Sequence, residues 1–128
     1  MGKTVRDIIT GREVISVKPT DSVREATRAM YEKDVGAVLV MEGGRLRGIF
    51  TERDALRFFA ATRRNPYIID VEVVMTHDPL TIDIDTPAET AREMMLSNGF
   101  RHLPVVGDGE VVGVVSLRGV SFDLSWPG

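Results

Sequence analysis

The sequence contains no cysteine. That excludes disulfides, thiolate nucleophiles and cysteine-bound metal, and it leaves the redox compartment open. No apolar run approaches the ~20 residues needed to cross a bilayer. The opening MGKTVRDIITG has no apolar stretch of signal-peptide length, and Arg6 stands where a myristoylation signal carries Ser or Thr. Histidine is limited to His77 and His102, neither in a metal-spaced set such as His-Glu-x-x-His. A Gly-x-Ser-x-Gly elbow and a Walker Gly-Lys-Ser/Thr are both missing. There is no excess of positive charge either: the formal net charge is −3 and the pI near 5.4, which argues against bulk attraction to nucleic acid or acidic membranes. These absences predict a soluble, cytoplasmic protein that is not an enzyme and holds no metal.

What is present is ordinary in amount and unusual in order. With 128 residues, 43% of them hydrophobic, the chain is of single-domain size with one sizeable core. Lysine occurs only at Lys3, Lys18 and Lys33, so the positive charge is carried mainly by arginine, whose planar fork suits phosphate and carboxylate. Shifted by 65 residues, the sequence aligns on itself without a gap, Val14–Asp54 onto Pro79–Gly119: Ala26 falls on Ala91, Met30 on Met95, Gly48 on Gly113, Arg53 on Arg118. The order of residue classes repeats more than the residues do, as in a duplicated structural unit.

Each copy reads as strand, helix, strand, strand, helix. VISV and LTID are short strand-like runs. Asp21 or Ser22 is the expected cap of the next helix, with Ser22 and Glu25 as a capping box; in the second copy Thr86 is the expected cap and Pro87 the first helical residue. Met30 and Met95 fall on the buried stripes. GAVLVM and LRGIF flank Gly43-Gly44, HLPVVG and VVGVV flank Asp108-Gly109, and both dipeptides suit tight hairpins. Closing helices are expected from about Thr51 to Thr62 and from about Ser116 to Phe122. A short helix near Ile69–Met75 and the apolar face of Val5, Ile8 and Ile9 are read as lead-ins, each completing its own repeat, with boundaries at 1–64 and 65–128.

This pattern, P-T-D-x-V-x-E-A-x-x-x-M followed by L-x-G-I-F-T-x-x-D, resembles the CBS domain, named after cystathionine β-synthase, in tandem as a CBS pair or Bateman module. The resemblance runs from Thr4 to about Phe122 and leaves no room in this length for a catalytic, transport or DNA-binding domain. It implies an α+β fold, two repeats packed about a pseudo-twofold axis, and clefts between them that take AMP, ADP, ATP or S-adenosylmethionine. It also implies homodimers paired through helices, which regulate a partner that the sequence does not name. The apolar tail with Phe122, Leu124 and Trp126 would cover such an interface or, by slight preference, the protein's own core.

In the better cleft, Asp54 would accept hydrogen bonds from the ribose hydroxyls, at about 1.5–3 kcal/mol for charge-assisted bonds. Thr51, with the free N–H groups of the helix start, would seat phosphate beside Arg53. The opposite wall would be Pro79, Leu80 and Thr81, with backbone groups for the adenine edge, Leu103 and Pro104 as an apolar surface, and Arg101 and His102 near the phosphate. A second, weaker cleft would combine Ile15, Ser16, Gly36 and Ala37 with Ser116 and Arg118, but Gly119 replaces the ribose acid. The bland alternative for Thr51 and Asp54 is a helix cap alone. Arg53, Arg57, Arg63 and Arg64 could bind nucleic acid, but no aromatic platform accompanies them in the sequence, so a solvated face is the expectation. The rival function is a ligand-free dimerisation or docking module.

Overall fold

A computed structural model of the chain describes residues 2–125, with side chains described from 2 to 121. The elements run α1 (Val5–Ile9), β1 (Ser16–Val17), α2 (Val23–Lys33), β2 (Ala37–Glu42), β3 (Arg45–Thr51), α3 (Glu52–Ala61) and a 3-10 turn (Val71–Val73). They continue with β4 (Thr76–His77), β5 (Ile82–Asp83), α4 (Ala88–Asn98), β6 (His102–Gly107), β7 (Glu110–Ser116) and α5 (Leu117–Ser125). The α+β class holds. The expectation for Phe122, Leu124 and Trp126 concerns side chains outside the described residues.

The chain divides into two compact units, a central one of Val14–Pro79 and a terminal one made of the residues up to Glu13 together with those from Leu80 onward. These units are not the contiguous halves 1–64 and 65–128. The lead-ins are exchanged: Val5, Ile8 and Ile9 are buried with Ala91, Met95 and Val105 in the terminal core, whereas Val71 and Met75 are buried with Ala26, Met30 and Phe50 in the central core. Backbone hydrogen bonds fix each exchange. Val71 N–H donates to Asp21 O at 2.7 Å, and Glu72 N–H to Pro19 O at 3.2 Å. Val5 N–H donates to Thr86 O at 2.9 Å, and Arg6 N–H to Ile84 O at 2.8 Å. The two pairs match when the body of the repeat is shifted by 65 residues and its lead-in by 66.

The same backbone explains the helix starts. Ser22 caps α2, its Oγ accepting from Glu25 N–H at 3.0 Å, and the Ser22–Asp70 bridge beside it is made by Val23 N–H to Ile69 O and Val71 N–H to Asp21 O. Thr86 does not cap α4. Pro87 takes the cap position with extended ψ 138°, and the N–H of Ala88 is satisfied by Lys3 O at 2.9 Å. A lead-in carbonyl therefore does the work expected of a hydroxyl, as Ile69 O does for Val23 N–H at 2.8 Å.

In the central unit the sheet order is β1-β2-β3-β4, with β1 parallel to β2 and the other pairs antiparallel. The terminal sheet is β5-β6-β7 with the corresponding parallel and antiparallel pairs. Register shifts fall between Val40 and Met41 and between Val105 and Val106, so even the bulge is duplicated. Strand β4 was not expected from the sequence. It pairs Thr76 with Ile49 and His77 with Gly48, which needs backbone at close range: a Cβ on Gly48 would lie 2.7 Å from Thr76 O.

Candidate functional site

Strand β3 ends and α3 begins at Thr51, which places both residues of the Thr-x-x-Asp phrase on one helical turn. Thr51 N–H and Oγ–H both donate to Asp54 Oδ2, at 2.9 and 3.0 Å, and Asp54 N–H donates back to Thr51 Oγ at 3.3 Å. The cap is real, and it restricts what else these groups can do. Oδ2 has two lone-pair positions and both are used. The Thr51 hydroxyl has one proton and it is committed. Glu52 N–H donates to Gly36 O at 3.0 Å, leaving only the N–H of Arg53 among those from Thr51 to Asp54. The expected phosphate seat of several free N–H groups is thus narrower than the sequence suggests.

The other carboxylate oxygen, Oδ1, is different. Its neighbour is Arg57 Nη1 at 3.9 Å, too far for a hydrogen bond, and the Asp54 side chain is 14% exposed. Asp54 therefore presents one anchored oxygen and one oxygen with lone pairs to spare. A second box, Thr4 with Asp7, has the same donors, with Thr4 N–H to Asp7 Oδ2 at 2.9 Å. A Thr-x-x-Asp box on its own is consequently a folding device; at α3 it additionally ends a strand beside Gly36 and Ala37.

The other candidates of the central unit gather at that end. Ala37 pairs with Thr51 across β2 and β3, Ser16 pairs with Leu39, and Ile15 O accepts from Leu39 N–H at 3.0 Å. Arg53 is exposed and Pro79 half-buried at the unit's last residue. In the terminal unit, Leu80 and Thr81 are exposed before β5, His102 pairs with Ser116, and Arg101 O accepts from Leu117 N–H at 2.8 Å. Ser116 Oγ accepts from Gly119 N–H at 2.9 Å, a cap without its acid, and Arg118 is exposed.

Leu103 is a correction. It was expected to offer an apolar face to a base, but it is 2% exposed and packs in the terminal core with Val105. Side chains alternate along a strand, so Leu103 and Val105 share the core face while His102 and Pro104 share the other. The alternation itself was a signal that could have separated Leu103 from Pro104. Pro104 is buried as well.

Among the described residues no group of three His, Cys, Asp or Glu side chains could hold a metal, and no helix is long and apolar enough to cross a membrane. Phe59 and Tyr67 are exposed, and Arg24, which is not one of the four arginines of the candidate nucleic-acid face, lies over the Tyr67 ring at 5.7 Å.

Comparison with known proteins agrees with this geometry. The CBS domain family matches twice, over residues 5–61 and 69–122. An uncharacterized 17.7 kDa protein of Acidianus ambivalens is 39% identical over 122 residues, covering 92% of this chain and 71% of its own length. Several longer curated relatives are spanned only to 20–33% of their length. A CBS-domain-containing protein of Agrobacterium tumefaciens is 31% identical with a TM-score of 0.86, covering 94% of this chain and 98% of its own. CBSX2, from Arabidopsis thaliana, has been solved in complex with AMP; it is 30% identical with a TM-score of 0.76, covering 94% of this chain and 95% of its own. With two family matches over most of its length and the duplicated β-α-β-β-α units in place, the chain belongs to the CBS domain family.

Proposed function

We propose that the chain is a regulatory module that binds an adenosine-containing ligand and passes its occupancy to a partner protein, without catalysing a reaction. AMP is the first ligand, followed by ADP and ATP, with S-adenosylmethionine as the further class that the family implies. The observation that carries this reading is Asp54, whose Oδ2 is fixed by the cap while Oδ1 can accept from a sugar hydroxyl. AMP bound to CBSX2 supports the choice of ligand. The family resemblance adds Leu80, Thr81, Arg101 and His102 to the same ligand, and Arg53 to its phosphate. The Ser116 end, without a carboxylate, is the weaker one.

Isothermal titration with adenosine, AMP, ADP, ATP and S-adenosylmethionine tests this. Submillimolar binding of AMP that Asp54→Asn weakens by about tenfold or more is expected, since a charge-assisted hydrogen bond contributes about 1.5–3 kcal/mol. Asn retains an oxygen for the Thr51 N–H, so folding is preserved. No heat with any of the five ligands favours the scaffold reading, for which the exposed Leu56, Phe59, Leu96 and Phe100 are the specific observation. A homodimer through these helices is part of the proposal, and light scattering at a few concentrations reads it.

A further inference from the structure

Arg57 sits one turn along α3 from Asp54 and approaches the one carboxylate oxygen that the cap does not use. Its Nη1 is 3.9 Å from Oδ1, so charge rather than a directed hydrogen bond holds it there. The Arg57 side chain is 69% exposed and makes no other ion pair among the described residues, so the rest of its fork is available to a ligand. Asp54 is mostly buried, and the pair is less screened than one fully in water.

Resting on the adenosine-ligand reading of this site, we propose that Arg57 is its specificity-determining residue, selecting phosphorylated adenosine ligands over uncharged ones. Any hydroxyl that donates to Asp54 must do so at Oδ1, because Oδ2 is full. That oxygen lies 3.9 Å from the guanidinium, which leaves its lone pairs open and stands beside the incoming sugar. An uncharged nucleoside offers the exposed fork no anion to pair with. A nucleotide offers a phosphate, which a planar fork can take through two parallel N–H donors. Arg53 is exposed on the same turn but makes no ion pair with Asp54 Oδ1 among the described residues.

The test compares adenosine with AMP by calorimetry at low ionic strength, for the wild type, Arg57→Gln and Arg57→Lys, with thermal melts as a folding control. The wild type is expected to favour AMP. Arg57→Gln should weaken AMP by about tenfold while leaving adenosine nearly unchanged, and Arg57→Lys should restore part of the preference by charge without the fork. An unchanged ratio of AMP to adenosine affinity in Arg57→Gln overturns the role of Arg57 and leaves the functional reading intact. So does an equal loss for both ligands, which would mark Arg57 as a merely structural support of α3. A wild type that binds neither ligand overturns both.

Discussion

At Gly48 one added methyl group would sit 2.7 Å from the Thr76 carbonyl oxygen, and that oxygen belongs to strand backbone that cannot step aside cheaply. Its duplicate, Gly113, would meet only the end of the Ile9 side chain, at 2.9 Å, and that methyl can rotate away. Gly48→Ala should therefore cost about 1–3 kcal/mol by overpacking, and Gly113→Ala distinctly less. Urea denaturation of the two variants reads the difference; equal losses would mean that β4 is not held as described. Tyr67 supplies a second test at this scale. A hydrogen bond from Arg24 first, then the Arg24 and Arg28 charges, hold its hydroxyl below the ordinary value of 10.0. The phenolate is favoured in the folded state, so the linked stability is present above pH 10 and is lost as pH falls through the lowered value. In a Tyr31→Phe background the absorbance titration of Tyr67 should have its midpoint below 10.0, and Arg24→Ala should move it upward.

Among the elements, the duplicated caps make the sharpest contrast. At α3, Thr51 and Asp54 complete a reciprocal box; at α5, Ser116 receives one bond and Gly119 returns none. Gly119→Asp would supply the missing half and remove a helical glycine, together worth about 1 kcal/mol. Its Cβ would lie 2.9 Å from Ser116 Oγ and push that hydroxyl aside, so the thermal midpoint is expected to rise by less than this. Thr51→Ala should cost about 1 kcal/mol through the lost cap. These boxes were legible because they are local: donor and acceptor lie three residues apart. The hairpins were legible for the same reason, since Gly43-Gly44 and Asp108-Gly109 all take positive φ in the turns. Strand β4 was not, because two residues, Thr76 and His77, carry no periodicity to read. The cap of α4 was misread because its acceptor, Lys3 O, is remote in sequence and belongs to the backbone, which leaves no residue signature.

For the whole molecule, the exchange of lead-ins has the widest consequence. The pattern of Val5, Ile8 and Ile9 told of an apolar face but carried no information on which core it would enter, since both cores are built from the same residue classes. Candidate residues were found through the duplication, yet Leu103 was misplaced because a family position was transferred without its strand face. Removing residues 1–13 should expose the terminal core and leave the central unit intact. Hydrogen exchange on that truncation is expected to lose protection in 82–121 and to keep it in 14–79; loss in both, or in neither, would contradict the assignment of α1 to the terminal core.

The central claim concerns one carboxylate oxygen. A crystal grown with AMP should show a ribose hydroxyl within hydrogen-bonding distance of Asp54 Oδ1, with Oδ2 still bonded to Thr51. Electron density for AMP beside Gly119, with Asp54 making no contact to it, would contradict the account.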